Sequence, residues 1–166
     1  MELLPYTDEH LPLTEALELD PEVMKELGGS ADPGGLLRAH RRRVETVAAG
    51  DWWFVIVPDE SGPPAGTIGV WESTVAGSTL HEVGWMMLPE FQGQGIATEA
   101  LSLLIARARS DAGYERIHAF PGATNAPSNA LSGGRASPRP RSWRSSSGIA
   151  RFGSTTGSST SRADEA

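Results

Sequence analysis

The stretch from Glu82 to Ala100, EVGWMMLPEFQGQGIATEA, contains the residues of this sequence that are best suited to chemistry. A predicted strand leads into a short loop with Gly93 and Gly95, and the loop opens directly into a long predicted helix. Glycine lets the backbone come close to a ligand, and the first turn of a helix has N–H groups without partners inside the helix. Together with the helix dipole, which contributes about 0.3–1 kcal/mol, these groups attract anions. The spacing therefore predicts a cradle for a phosphate group at the start of the helix.

A glycine loop before a helix also occurs in dinucleotide-binding folds, whose fingerprint is G-x-G-x-x-G. The corresponding string here is GQGIAT, so the third glycine is missing. Glu115 lies at about the right distance to bind a ribose, but it precedes its predicted strand and does not follow it. We therefore reject a dinucleotide-binding fold.

The same loop fits the pattern Q-x-x-G-x-A, which runs from Gln92 to Ala97. The pattern is specific here because it lies within the full stretch above and is followed by ERIHAFPGATNAPSNAL. With these segments the sequence resembles the GNAT superfamily of acetyl-CoA-dependent N-acetyltransferases, most of all the branch of the ribosomal-protein alanine acetyltransferases. The resemblance covers roughly residues 1–132 and is best from Glu82 to Leu131.

The resemblance implies an α/β (α+β) GNAT fold, a mixed and mostly antiparallel sheet with flanking helices. It implies acetyl-CoA as cosubstrate and a primary amine as acceptor, such as a protein N-terminus or a small-molecule amine, which attacks the thioester directly. Backbone N–H groups of the loop would hold the pyrophosphate, and the preceding strand would bind the pantetheine arm and the acetyl carbonyl. The coenzyme-binding residues implied in this way are Trp85, Met86, Met87, Leu88, Gln92, Gly93, Gln94, Gly95, Ile96, Ala97, Asn125, Ser128 and Asn129.

Direct attack by an amine needs a base that removes a proton from the ammonium ion, often through water. Glu82 is the candidate, because it lies on the central predicted strand just before the coenzyme segment; the alternative is a charge at a strand edge. His81 and His118 are weaker candidates. Neighbouring residues of a strand face opposite sides, so His81 and Glu82 are not expected to reach one site together.

Apolar periodicity predicts the elements that would position these residues. The predicted strands are Leu3–Tyr6, Trp52–Val57, Gly66–Trp71, His81–Leu88 and Arg116–Phe120. The predicted helices are Thr14–Leu19, Pro21–Leu27, Leu36–Ala49, Gly95–Ala112 and Ala126–Leu131. A strand–helix–strand unit favours parallel pairing, whereas the earlier strands have hairpin spacing, so the sheet should be mixed. We interpret the basic run His40–Arg43 as a solvated helix face.

Composition and charge exclude several function classes. Cysteine is absent, which excludes disulfide frameworks and thiol nucleophiles, and no metal site is expected. Residues 1–131 carry eight Lys/Arg and nineteen Asp/Glu, a net charge of −11, which is unsuited to nucleic acid. No apolar run approaches the roughly 20 residues that span a bilayer. We expect a cytoplasmic protein, monomeric or homodimeric, without nucleic-acid or membrane partners.

The resemblance ends at Ser132, which divides the chain into a GNAT domain over residues 1–131 and a tail over residues 132–166. The tail has ten Ser, six Arg and five Gly, a composition that predicts disorder. Relatives continue with a Gly-Phe pair and two long strands, so the domain is expected to lack its last strands. Inserting one base into a back-translation of the tail restores such a sequence. Our hypothesis is a frameshift, the alternative being a natural Ser/Arg-rich interaction segment, and with a frameshift we expect activity to be impaired. The alternative function is a non-catalytic coenzyme A-binding or interaction module.

Overall fold

The computed structural model describes residues 1–75, 77–112, 116–133 and 144–145. Its strands are β1 (Glu2–Pro5), β2 (Trp52–Val57), β3 (Gly66–Val75), β4 (Ser78–Met87), β5 (Ile117–His118) and β6 (Arg144–Ser145). Its helices are α1 (Leu11–Glu18), α2 (Pro21–Met24), α3 (Pro33–Ala48), α4 (Ile96–Arg107) and α5 (Ala126–Leu131). Two 3₁₀ turns, Asp8–His10 and Pro89–Phe91, precede α1 and α4, and α4 continues as a short π-helical segment, Ala108–Ala112.

The strands form one mixed sheet in the order β1-β2-β3-β4-β5. The first four are antiparallel neighbours, and β5 pairs with β4 in parallel, as the sequence predicts. The two-residue β6 pairs with the far end of β3, beyond the last pair that β3 makes with β2. The long hairpin β3–β4 therefore lies at the centre of the sheet.

Several elements end at residues other than those predicted. Helix α3 begins at Pro33 and not at Leu36, because the Asp32 carboxylate accepts hydrogen bonds from the N–H groups of Gly34 and Gly35 and so caps the helix. These bonds, above all that from Gly35, lower the pKa of Asp32 below its ordinary value. Strand β3 extends beyond Trp71 because it stays paired with β4 along the whole hairpin.

Each face of the sheet carries its own apolar core. On one face, inward residues of β2 and β4 pack against α1, α2 and α3; the buried members are Tyr6, Leu13, Leu17, Val23, Met24, Trp53, Val55, Val57 and Met86. On the other face α4 covers the sheet; the buried members are Phe54, Ile56, Ala65, Ile68, Val70, Val83, Met87, Ala100 and Leu104. The alternation of the two sets along β2 and β4 follows from the two-residue period of a strand.

The prediction that His40–Arg43 is a solvated face is wrong for two of its four residues. His40 and Arg43 are buried, whereas the residues between them are exposed. Arg43 forms a buried ion pair with Glu18 and donates to Thr14 Oγ1 over 3.0 Å. The periodicity of apolar residues could not show this, because an arginine can lie inside a protein when it is paired.

Tyr6 connects this ion pair to His40. Its hydroxyl bonds to Thr14 and lies 2.7 Å from His40 Nδ1, and its ring lies under the Arg43 guanidinium. Burial raises the pKa of Tyr6 above its ordinary value, so the phenol stays neutral in the folded protein. The interior beneath α1 and α3 is thus a paired polar network and not only an apolar core.

Most of the predicted tail lies outside the described residues, and its disorder and the frameshift hypothesis stay predictions. Among the residues that the structure describes, none of the helices combines the length and apolar character needed to cross a bilayer.

Candidate active site

The sheet opens between β4 and β5. Among the described residues, two pairs join these strands, His81 with Ile117 and Glu82 with His118. Beyond Glu82 the strands separate, and β4 and residues 119–125 become opposite walls of a cavity of about 640 Å³. The opening leaves backbone of β4 facing the cavity instead of a neighbouring strand, which makes the backbone available to a ligand.

The predicted cradle forms one end of this cavity. Gly93 and Gly95 have φ values of 72° and 79°, in the left-handed region that favours glycine. Gly95 is the N-cap of α4, and no side chain caps the helix. The N–H groups of the first turn of α4 are therefore not taken by a capping side chain. Residues of the loop and of α4 that line the cavity are Phe91, Gln92, Gly93, Gly95, Ile96, Ala97 and Thr98.

Two glutamines hold the loop in this shape. Gln92 donates its side-chain amide to the carbonyl of Met87 over 3.0 Å, and Gln94 donates to the carbonyl of Glu90 over 2.6 Å. Gln94 does not line the cavity, so its side chain supports the loop from outside. The glutamines of the Q-x-x-G-x-A segment thus have a structural role in addition to any contact through their backbone.

Strand β4 and helix α5 bring most of the other predicted coenzyme residues to the cavity. Trp85, Met86 and Met87 line it, whereas Leu88 does not and donates its N–H to the carbonyl of Ala65. Asn125, the N-cap of α5, and Ser128 of α5 line the cavity, and the Asn125 side chain caps the helix by accepting from the Ser128 N–H.

Asn129 lies outside the cavity lining. Its side-chain amide donates to the carbonyls of Gly122 and Asn125, each over 2.8 Å. It therefore holds the loop of residues 122–125 against α5, which fixes one wall of the site.

Glu82 lies at the point where the sheet opens. Its side chain is 1% exposed, lines the cavity and accepts a hydrogen bond from Ser73 Oγ over 2.7 Å. His118, its partner on β5, is exposed. His81 does not line the cavity, as the alternation along β4 predicts. Of the three candidate bases, Glu82 alone is among the cavity-lining residues of the described chain.

Two tryptophans form a wall beside Glu82. Trp53 and Trp71 stack with ring centroids 5.6 Å apart, and both line the cavity. Their rings occupy the space over Gly69 and Gly84, which are partners in the β3–β4 register. A side chain at either glycine would displace an indole. This pair of facing glycines was the sequence signal for the wall, but it is visible only once the register is known.

The wall carries hydrogen-bond donors that the rest of the described chain does not use. The indole N–H groups of Trp53 and Trp71 and the hydroxyl of Thr67 are buried without a hydrogen-bond partner in the described ranges. An unsatisfied buried polar group costs about 1–3 kcal/mol. All three residues line the cavity, so a bound ligand or water can satisfy them.

Charged groups lie only on the side of the cavity that faces α1–α3. Glu82 is joined there by Glu22, Lys25 and Glu26 of α2 and the turn after it, and no ionisable side chain among the described lining residues comes from the α4 side. Glu26 also accepts from the hydroxyl of Thr124 over 2.8 Å, which links the two walls. The cavity thus has a side of backbone N–H groups that suits an anion and a side with three carboxylates and one lysine, whose net negative charge suits a cation.

Comparison with known proteins decides the family. The sequence model of the protein family described as acetyltransferase (GNAT) domain matches residues 1–133. The chain belongs to the GNAT acetyltransferase family. The resemblance stated from the sequence is thereby confirmed, and the mixed sheet with flanking helices is the GNAT fold.

Solved GNAT structures share this fold at low sequence identity. An acetyltransferase from Agrobacterium tumefaciens superposes with a TM-score of 0.67 at 21% identity, over 78% of this chain and 74% of that one. A GNAT acetyltransferase from Bacillus anthracis gives 0.65 at 18% identity, with the same coverage. A ribosomal-protein-alanine N-acetyltransferase from Brucella melitensis gives 0.62 at 22% identity, over 79% of this chain and 80% of that one. The comparison with curated proteins gives no match.

Proposed function

We propose that this GNAT protein transfers an acetyl group from acetyl-CoA to a primary amine by direct attack, with Glu82 as the general base. The observation that carries the proposal is the division of the cavity, in which one end presents uncapped helix N–H groups and the other presents a buried carboxylate. A phosphate-bearing donor and a cationic acceptor need these two environments.

The residues of the loop fit the coenzyme. A pyrophosphate needs backbone that comes close and donors that are free of a cap, and the start of α4 supplies both. A Cβ at Gly93 or Gly95 would project into open space, so the loop leaves room for a ligand. In the proposal the coenzyme supplies the thioester acyl group, and Trp85, Met86 and Met87 hold the arm of the coenzyme with backbone and side chains.

The amine side needs proton transfer. A primary alkylamine is an ammonium ion at neutral pH, since its pKa lies near that of lysine, about 10. Glu82 attracts the ammonium ion and accepts one of its protons, so that the neutral nitrogen can form the new bond to the acyl carbon. The acetyl group would move to nitrogen as the bond from the acyl carbon to sulfur breaks, the leaving thiolate would take the second proton of the attacking nitrogen, and no bond to the protein would form.

The test measures binding and turnover separately on the full chain. Acetyl-CoA is titrated into the protein in a calorimeter, and acetylation of a panel of primary amines is followed with and without Glu82→Gln. Glu72→Gln, an exposed carboxylate on the neighbouring strand, is the matched control. We expect one-to-one binding in all three proteins and a rate that falls about 10²–10⁴-fold in Glu82→Gln only. Binding without turnover of any amine by the unaltered chain would identify a coenzyme-binding module and contradict the proposal.

A further inference from the structure

Ser73 is a hydrogen-bond partner of Glu82. It lies on β3, two residues beyond Trp71, which is the register partner of Glu82 on β4. The two side chains therefore project from the same face of the sheet, and Ser73 Oγ donates to Glu82 Oε2 over 2.7 Å. Each residue is 1% exposed, so water does not compete for this bond.

The burial of this pair has an energetic meaning. A carboxylate taken out of water is destabilised unless hydrogen bonds compensate, and a hydrogen bond to a charged group is stronger than one between neutral groups. The hydroxyl can also fix the carboxylate, because Ser73 has a single side-chain torsion and its backbone is held in the β3–β4 ladder. A base must be held within hydrogen-bond reach of its proton, so its orientation affects the rate.

We propose that Ser73 is a positioning residue that holds the Glu82 carboxylate toward the acceptor side of the cavity in its ionised form. This inference rests on the proposed function, in which Glu82 accepts the proton. Ser73 itself touches neither coenzyme nor acceptor in this account. It acts through Glu82 alone.

Other ionisable groups near Glu82 must be separated from its titration. On β5 the facing group is His118, and from α2 and the turn after it Glu22, Lys25 and Glu26 line the same cavity. Strand β3 contributes Trp71 and Ser73 on this face, and neither titrates near neutral pH. His118→Gln therefore removes the ionisable group on β5 that faces Glu82 in the register.

The experiment records kcat/KM against pH and, separately, the titration of the Glu82 side-chain carbon by NMR, which needs no turnover. The proteins are the unaltered chain, Ser73→Ala, Ser73→Thr and the matched control Ser78→Ala on an exposed part of β4, each with and without His118→Gln. Because the hydroxyl favours the ionised carboxylate, its removal moves the acid limb and the NMR midpoint to higher pH by about one to two units. Ser73→Thr keeps the hydroxyl and restores both.

The outcomes separate the inference from the function on which it rests. An NMR midpoint that does not move in Ser73→Ala overturns the role of Ser73, while Glu82→Gln still abolishes turnover and the proposed function stands. A midpoint that moves while the rate profile stays in place shows that Glu82 is not the base, and the inference falls with that assignment. If Ser73→Ala does not fold, Ser73→Thr is compared with the control Ser78→Ala instead, because threonine retains the hydroxyl. An NMR midpoint and a rate profile like those of the unaltered chain then support the inference. A displaced midpoint in Ser73→Thr overturns it.

Discussion

The two sides of the cavity present different chemical groups, main-chain N–H groups on one side and side chains on the other. The α4 side offers main-chain N–H groups, shaped by left-handed glycines, and carries no ionisable side chain among its described lining residues. The α1–α3 side offers a buried carboxylate, two stacked indoles and further charges on α2 and the turn after it. In the proposed function, a ligand on the first side would be recognised by backbone, and a ligand on the second by side chains.

This difference has a consequence for substitution. Backbone recognition tolerates changes of side chain but not changes of backbone conformation, whereas side-chain recognition is sensitive to anything that moves one ring or one carboxylate. Substitutions that alter only one of these properties should therefore affect only one of the two ligands.

The largest expected effect comes from removing the buried ion pair below the indole wall. Arg43→Met leaves Glu18 buried without its partner, and the guanidinium that packs over the Trp53 ring is lost. We expect the free energy of unfolding to fall by about 3–5 kcal/mol, measured by urea denaturation. Glu18→Leu combined with Arg43→Met should recover most of this loss, and the exposed Arg41→Met should change little. Equal losses in the single and double variants would mean that the charge of Glu18 is not the cause.

The second-largest expected effect tests the α1–α3 side of the cavity, where side chains would recognise the ligand. In Gly84→Ala the new methyl group would overlap the benzo edge of Trp71, whose Cζ3 lies 3.2 Å from the added Cβ. Overpacking of this kind costs about 1–3 kcal/mol. The amine KM should rise while the calorimetric affinity for acetyl-CoA stays unchanged. Trp71→Phe, which has no benzo edge, should relieve the strain when combined with Gly84→Ala; persistence of the full loss of stability would contradict this explanation.

Gly95→Ala tests the α4 side of the cavity, where backbone N–H groups would recognise the ligand. The left-handed conformation at φ 79° costs a non-glycine residue about 1–2 kcal/mol. We expect acetyl-CoA affinity to fall about tenfold and the amine KM to stay the same. Gly77→Ala, at φ 83° in the β3–β4 turn, imposes the same strain away from the cavity and serves as the matched control. A similar loss of affinity in both variants would show that the effect is on the fold and not on the cradle.

The smallest expected effect comes from Asp32, which lies far from both sides of the cavity and serves as a control for the substitutions above. The Gly35 N–H and its neighbours lower the pKa of Asp32 below 3.8, so the ionised carboxylate stabilises the fold above that pH and this contribution is lost as pH falls through the folded-state pKa. Asp32→Asn keeps an acceptor for the helix but does not titrate. Melting midpoints between pH 3 and pH 6 should fall less steeply in the variant than in the unaltered chain, with equal acetyl-CoA binding at neutral pH. Parallel curves would refute the assignment.

The α4 side of the cavity could be predicted from the sequence better than the α1–α3 side. Glycine spacing before a helix is a local pattern, so Gly93, Gly95 and the start of α4 could be predicted from adjacent residues. The stacking of Trp53 on Trp71 depends on Gly69 facing Gly84 across two strands, and only the register shows this.

The buried polar residues were the least predictable part of the fold. His40 and Arg43 are basic residues, like the exposed arginines between them, so the residue types alone do not show which of the four are buried. Their positions are set by Tyr6, Thr14 and Glu18, which come from other parts of the chain. Asn129 shows the same limit in the site, because its bonds to Gly122 and Asn125 give it a structural role that motif matching does not distinguish from ligand contact.

The short ladder between β4 and β5 links stability to the composition of the solution. Among the described residues, β4 is paired only with β3 after Glu82, and in the proposed function a ligand in the cavity would take the place of the missing neighbour. Such a ligand binds the folded chain and not the unfolded one. By mass action it then adds about 2.7 kcal/mol of stability at a hundred times its dissociation constant. On the proposed function, we therefore expect the melting temperature of this protein to rise with ligand concentration, so that loss of the ligand also makes the fold less stable.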